Sequence, residues 1–145
     1  MIRQRLGKDL LFFDGGMGTL LQEKGLAPGE LPETWNLTHS EEIYKIHRQY
    51  IEAGSDIILT NTFGANALKF HDDSCSLEEI IKAAVSHVKK AEREALLQTG
   101  DERKIYTALD VGPTGKLLKP MGDLEFETAY EAFKEVVILG EQAGA

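Results

Sequence analysis

The chain has 145 residues, a hydrophobic content of 42% and a formal net charge of −8. This length fits one domain, and the apolar content is sufficient for a core. The acidic balance excludes a nucleic-acid surface, since no basic stripe offsets it. No stretch approaches the ~20 apolar residues that span a membrane, and the first residues lack the pattern of a secretory leader. The single cysteine, Cys75, excludes an internal disulfide and favours a cytoplasmic protein.

The first predicted element is a buried strand. Leu10–Phe13 is a short, unbroken apolar run that stops at Gly15 and Gly16. Such a run is typical of a strand that is covered on both faces. Residues 17–24 then predict a short helix, and residues 26–37, which contain two prolines, predict a loop.

The second helix is predicted from a capping box. Thr38 and Glu41 have the spacing in which a hydroxyl and a carboxylate satisfy opposing backbone donors. The helix then runs to about Ala53. Its predicted apolar face carries Ile43, Ile46, His47 and Tyr50. A histidine on such a face predicts a buried, hydrogen-bonded side chain rather than a catalytic one.

A second strand is predicted over residues 56–60, followed by a loop through Asn66. A long helix begins near Ser76, with a capping-box glutamate at Glu79. The predicted apolar stripe of this helix consists of Ile81, Ala84, Val85, Val88, Ala91 and Ala95. Just before the helix stand side chains of metal-ligand type, but their crowding beside a helix start favours an exposed loop. They are His71, Asp72, Asp73 and Cys75.

The third strand is predicted over residues 104–109, a loop over 112–122 and a last helix over 124–142. The predicted stripe of this helix is Phe126, Tyr130, Phe133, Val137 and Gly140. The order β-α-β-α-β-α predicts parallel strands with right-handed crossovers. We therefore expect an α/β fold, a partial (β/α)8 TIM barrel of about three βα units. Residues 1–145 would form the N-terminal part of that barrel domain, before its fourth strand; a complete three-stranded module is the alternative.

Polar residues follow all three predicted strands. Asp14, Asn61 and Asp110 each stand where an apolar run ends. Because ligands of α/β proteins bind at the carboxyl ends of the strands, these side chains predict one shared site. Each segment also has a purely structural interpretation. Gly15 and Gly16 would serve a tight turn, the side chains of residues 60–63 would hold a turn, and Asp110 would bond to backbone N–H groups alone.

Taken together, these stretches resemble the homocysteine S-methyltransferase family. Residues 13–19, 47–65 and 110–115 match its pattern, as do Pro32, Glu33 and Asn36. The similarity is greatest to the homocysteine-binding modules of the cobalamin-dependent members. The resemblance implies a (β/α)8 barrel and methyl transfer to the thiol of homocysteine, which gives methionine. In that family a zinc ion held by three cysteines activates the thiolate.

The resemblance also implies roles for individual residues. Asp14 would pair with the ammonium group of homocysteine, and the backbone N–H groups of Gly15 and Gly16 would bind its carboxylate. The pocket would further be lined by Thr60, Asn61, Thr62 and Phe63, with Asp110 and Gly112 in a second tier. These residues position the substrate and take no part in making or breaking its covalent bonds, so none is predicted to be catalytic.

The family's zinc cysteines and an acidic residue of the fourth strand have no counterpart here. We therefore expect the intact protein to be the enzyme, while this chain alone binds no zinc tightly and has no turnover. Cobalamin and methyltetrahydrofolate would belong to other modules, and the methyl donor is left open. An exposed apolar strand face would favour self-association.

Two alternatives stay open at this point. One is another small-molecule barrel enzyme, such as a lyase or aldolase, which would need a lysine or an acid pair in further strands. The other is a non-catalytic α/β binding module that is complete at this length.

Overall fold

The computed structural model describes residues 2–70, 74–100 and 103–145, which form an α/β fold with a small parallel sheet. The helices are α1 (Met17–Glu23), α2 (Trp35–Thr38), α3 (Ser40–Glu52), α4 (Leu77–Thr99) and α5 (Phe126–Ala143), and the strands are β1 (Ile57–Leu59) and β2 (Tyr106–Ala108). Short 3-10 helices cover Ile2–Gln4 and Pro32–Thr34. Within these ranges, no helix combines the length and hydropathy needed to cross a bilayer. The loop predicted at His71, Asp72 and Asp73 lies outside the described residues.

The sheet has the parallel pairing that the crossover pattern predicts. β1 pairs with β2 in a register that sets Ile57 opposite Tyr106. The first predicted strand is reduced to one bridge, in which Phe13 pairs with Ile57 in parallel. The amide of Asp14 donates to the carbonyl of Ile57 at 3.0 Å. The three predicted strand segments therefore lie side by side in chain order, with β1 in the middle.

The prediction that Leu10–Phe13 is buried on both faces is wrong. Leu10, Phe12 and Phe13 are 76%, 55% and 59% exposed. A strand of this kind needs helices over both faces, and the described helices pack instead around β1 and α4. This is the apolar face predicted to self-associate, and that association stays a prediction.

Helix α4 confirms the sequence analysis in detail. It begins after Ser76, whose hydroxyl accepts from the amide of Glu79 at 3.2 Å, while the Glu79 carboxylate accepts from the amide of Ser76 at 2.8 Å. Every member of its predicted stripe is buried. Helices α3 and α4 pack together over β1, and Tyr44, Ile58 and Val88 belong to one core cluster there. The periodic stripe thus determined how this helix packs.

The start of α3 differs from the prediction. Thr38 is not its capping residue, since His39 stands at that position. Thr38 ends α2, and its hydroxyl donates to the carbonyl of Thr34 at 3.1 Å. The expected loop over residues 26–37 also contains the 3-10 turn Pro32–Thr34 and the start of α2. A hydroxyl that bonds within one helix cannot cap the next, so the predicted capping box fails.

The buried stripe of α5 is shifted from the predicted one. Its buried residues are Ala129, Ala132, Val136 and Gly140. By contrast, Phe126, Tyr130 and Val137 are more than half exposed. Small residues let this helix approach the sheet end closely, since a Cβ at Gly140 would lie 2.5 Å from the Leu109 side chain. The bulky residues cannot fit on that side, which explains why the prediction was wrong.

His47 is fully buried on α3, as predicted, but the expected hydrogen bond is not formed. Neither ring nitrogen has a partner among the described residues. Burial, with a smaller contribution from His87, lowers the pKa of His47 to about 3. The folded protein therefore holds this imidazole in its neutral form.

We expect His47 to make the fold acid-sensitive. As the pH falls below the ordinary pKa of 6.5, the unfolded chain binds a proton that the folded chain refuses, so stability falls. By about pH 5 the loss amounts to about 2 kcal/mol. In His47→Leu that part of the loss should vanish, as measured by urea unfolding at about pH 7 and pH 5. His39→Gln, at an exposed histidine, is the control and should keep the full loss.

Candidate functional site

A cavity of about 330 Å³ lies where three chain segments end: residues 10–13, called the Phe13 segment below, and the strands β1 and β2. Three of the predicted strand-end residues, Asp14, Asn61 and Asp110, lie in its wall. The predicted residues that line it are Asp14, Gly15, Gly16, Thr60, Asn61, Phe63 and Asp110. The geometry therefore brings together side chains that are far apart in the sequence, as parallel strands require.

Thr62 and Gly112 lie beside the cavity and shape its wall. The Thr62 hydroxyl donates to the carbonyl of Asp110 at 2.7 Å and shares a 2.7 Å hydrogen bond with Thr60. The amide of Gly112 donates to the carbonyl of Phe63 at 3.1 Å. These bonds join the segment after β1 to the segment after β2, and so hold Phe63 and Asp110 at the cavity.

Asp14 is only partly hydrogen-bonded. Its Oδ2 accepts from the amide of Leu59 at 3.1 Å, while its Oδ1 is buried with no partner among the residues that the structure describes. Burial raises the pKa of Asp14 to about 6, and the charge of Asp110 adds to the effect. An ionised carboxylate held in this way lacks a counter-charge, which a ligand cation would supply.

The glycine segment packs tightly against α3. A Cβ at Gly15 would lie 2.8 Å from the hydroxyl oxygen of Tyr50. That hydroxyl donates to the carbonyl of Gly16 at 3.2 Å. A larger residue at position 15 would displace the far end of the Tyr50 side chain, so packing favours glycine there without requiring it. The use of the Gly15 and Gly16 N–H groups by a ligand stays a prediction.

Asn61 ties a second loop to the end of β1. Its side-chain amide donates to the carbonyl of Pro32 at 2.8 Å. In return, the side-chain amide of Asn36 donates to the carbonyl of Asn61 at 2.8 Å. A ring nitrogen of His87 lies 2.7 Å from the carbonyl oxygen of Asn36. These contacts make the 3-10 turn Pro32–Thr34 a fixed wall of the cavity.

Two charged residues of the cavity wall, Glu33 and Lys69, are absent from the site residues predicted above. Glu33 is 2% exposed, and its Oε1 accepts from the amide of Gly64 at 2.5 Å. The Lys69 Nζ lies 5.4 Å from the centroid of the Phe63 ring. Glu33 stands beside Pro32 in the family pattern, which could have marked it as a site residue. It was passed over because residues 26–37 were predicted to be a loop.

The cavity carries a surplus of negative charge. Among the described residues, the wall contains three acidic residues, Asp14, Glu33 and Asp110, against one lysine, Lys69. Burial raises the pKa of Asp110, and the charge of Glu33 raises it further. A small ligand with a positively charged amino group is therefore the kind of molecule that this cavity suits.

The residues present do not fit a zinc site. Across residues 2–70, 74–100 and 103–145, no three histidine, cysteine or acidic side chains come together in a way that could hold a metal ion. Cys75 is half-buried and packs against a hydrophobic cluster that contains Phe70 and Ile80. We therefore derive no chemical step through a metal from this chain, and weak zinc binding stays a prediction.

Gly112→Ala tests the junction between the two strand ends. A Cβ there would lie 2.1 Å from the carbonyl oxygen of Phe63, and backbone cannot yield as a side chain does. We expect a loss of about 3 kcal/mol in the free energy of unfolding, as overpacking predicts. Gly18→Ala is the matched control: it lies in α1 with open space around it. It should leave stability unchanged or raise it by about 1 kcal/mol.

Asp14→Asn tests the burial of the unpaired carboxylate. Because folding raises the pKa of Asp14 from 3.8 to about 6, ionisation opposes folding as the pH rises through this range. The variant has no such charge, so its stability relative to the wild type should increase from about pH 4 to pH 7.5. Urea unfolding at both values measures the difference. A constant difference between the two proteins would show that Asp14 ionises freely.

Comparison with known proteins gives the family. The profile of the homocysteine S-methyltransferase family matches residues 11–145. The methionine synthases of Mycobacterium leprae and Mycobacterium tuberculosis are each 30% identical to the chain, over 138 and 139 residues. These matches cover 91% and 92% of this chain, but only 11% and 12% of the two synthases.

Solved structures share the fold. The oxidized form of the homocysteine methyltransferase MmuM from Escherichia coli superposes with a TM-score of 0.82 at 22% identity, over 99% of this chain and 53% of MmuM. The metallated form gives the same TM-score and identity over 54% of its length. The chain thus spans about half the length of these relatives. Because the family profile matches nearly all of it, the chain belongs to the homocysteine S-methyltransferase family.

Proposed function

We propose that this chain forms the homocysteine-binding part of an enzyme that methylates homocysteine to methionine. The observation that carries the proposal is the buried oxygen of Asp14, which has no partner in the described part of the chain and belongs to a residue lining a cavity at the strand ends. Family membership supports homocysteine as the ligand. The alternative of a lyase or aldolase barrel finds no such support.

A partial barrel is the architecture that we propose for the chain. The Phe13 segment, β1 and β2 are parallel neighbours in chain order, as successive barrel strands are. The superposition on MmuM over about half of that protein supports the same reading. Residues 1–145 would then supply the first three βα units of a (β/α)8 barrel, whose remaining strands would cover the exposed face at Leu10 and Phe12.

The cavity would bind the amino-acid end of homocysteine. Asp14 would pair with the ammonium group, and the N–H groups of Gly15 and Gly16 would bind the carboxylate. The rest of the proposed site consists of Thr60, Asn61, Thr62, Phe63, Asp110 and Gly112. Phe63 would face the apolar part of the ligand, while Thr62 and Gly112 would act through the wall that they hold. Such contacts accelerate a transfer reaction by orienting the substrate.

The groups that make and break bonds would belong to other parts of the intact protein. The thiol of homocysteine is a weak nucleophile at neutral pH, because its pKa is about 8.5. Its activation therefore needs a group beyond those in this cavity. We assign zinc, cobalamin and methyltetrahydrofolate to regions outside residues 1–145.

Titration of homocysteine into the chain by calorimetry tests the proposal. We expect one saturable site, and Asp14→Ala should weaken binding at least about tenfold, because a charge-assisted hydrogen bond is lost. Asp123→Ala, at an exposed aspartate, is the matched control and should bind as the wild type does. Unchanged affinity in Asp14→Ala would remove the basis of the proposal.

A further inference from the structure

We propose that Glu33 is a second carboxylate for the amino group of the ligand, and that it makes the cavity selective for primary ammonium compounds. This inference rests on the proposed function, since it takes the ligand to be an amino acid. It concerns a different residue, Glu33, and a different property, the number of N–H donors that the site requires of its ligand.

The burial of Glu33 is the first observation. Its side chain belongs to a residue that is 2% exposed, and its Oε2 is buried without a partner among the described residues. A buried carboxylate oxygen without a donor is costly, so such groups are nearly always paired. Glu33 lies in the wall of the same cavity as Asp14, whose Oδ1 is in the same condition. One cavity thus contains two carboxylate oxygens that need donors.

The second observation is that the fold holds Glu33 in place. The amide of Gly64 donates to its Oε1 at 2.5 Å, and a Cβ at Gly64 would lie only 2.8 Å from that oxygen. The preceding residue, Pro32, is fixed to the end of β1 by the side-chain amide of Asn61. The Gly64 amide therefore holds the carboxylate itself, and the Asn61 side chain holds the backbone beside it, which is typical of a built site and not of a loop residue free to turn to solvent.

A primary ammonium group satisfies the needs of this cavity. It has three N–H donors, so it can bond to Asp14 and Glu33 at the same time and keep a third donor for Asp110 or a backbone carbonyl. The amine of Lys69 lies over the Phe63 ring at the rim and is exposed. A ligand without the amino group would leave both oxygens unpaired, and the site would therefore reject it.

The test compares two ligands in two variants. Glu33→Gln keeps an oxygen for the amide of Gly64 and removes the charge. We expect it to weaken binding of homocysteine about 10- to 100-fold. 4-Mercaptobutanoate, which lacks the amino group, should bind weakly to the wild type, and the variant should bind it no more weakly, because no bond to Glu33 is lost. Glu127→Gln, at an exposed residue of α5, is the control and should change neither affinity.

The outcomes separate this inference from the proposed function. Unchanged homocysteine affinity in Glu33→Gln, or an equal loss for both ligands, would overturn the role of Glu33 while Asp14→Ala still weakened binding. A wild-type chain that bound no homocysteine would overturn the proposed function itself. In an NMR titration the pKa of Asp110 should fall in the variant with or without ligand, because the Glu33 charge is gone. Unchanged amide chemical shifts away from the cavity show that the variant keeps the fold.

Discussion

The hydrogen bonds of Asn61 are the constraint on which the candidate site depends. Asn61 follows β1, and its side chain fixes the carbonyl of Pro32 while its own carbonyl accepts from Asn36. A buried amide must find such partners, and here they lie in a segment far away in the sequence. The consequence is that Glu33 lies in the same wall as Asp14 and Asp110. Without this link the 3-10 turn would be an ordinary surface loop.

The acidic cavity opposes the stability of the fold that contains it. Asp14 has an unpartnered buried oxygen and a pKa raised to about 6, and the pKa of Asp110 is raised as well. Each ionised group disfavours the empty folded state, and an ammonium ligand would relieve the repulsion of all three carboxylates at once. Binding sites are commonly less stable than their surroundings for this reason. The rigid pair of α3 and α4 beneath the site offsets this cost through its buried apolar cluster.

Local signals predicted the elements that form by local rules. The capping box at Ser76 and the stripe of α4 are both confirmed, since they depend on spacing within one helix. In the predicted stripe of α5, Gly140 is confirmed as buried, whereas Phe126 and Tyr130 are exposed. The aromatic residues dominated the pattern, but it is the small Gly140 that packs closely against the Leu109 side chain. The predicted strand at Leu10–Phe13 is reduced to a bridge between Phe13 and Ile57, with the Phe12 carbonyl accepting from the amide of Ile57. Its apolar side chains remain exposed in the described chain because burial requires neighbours that a local pattern does not supply.

By itself, the sequence determined the α/β order, the parallel direction of the strands and the positions of Asp14, Asn61 and Asp110 at strand ends, because these follow from periodicity and crossover handedness. It also carried the family pattern that the comparison confirms. Only the tertiary structure decided which polar groups lack partners, as with the oxygens of Asp14 and Glu33 and the ring of His47. Hydrogen-bond satisfaction depends on contacts between distant segments, and no local spacing records them.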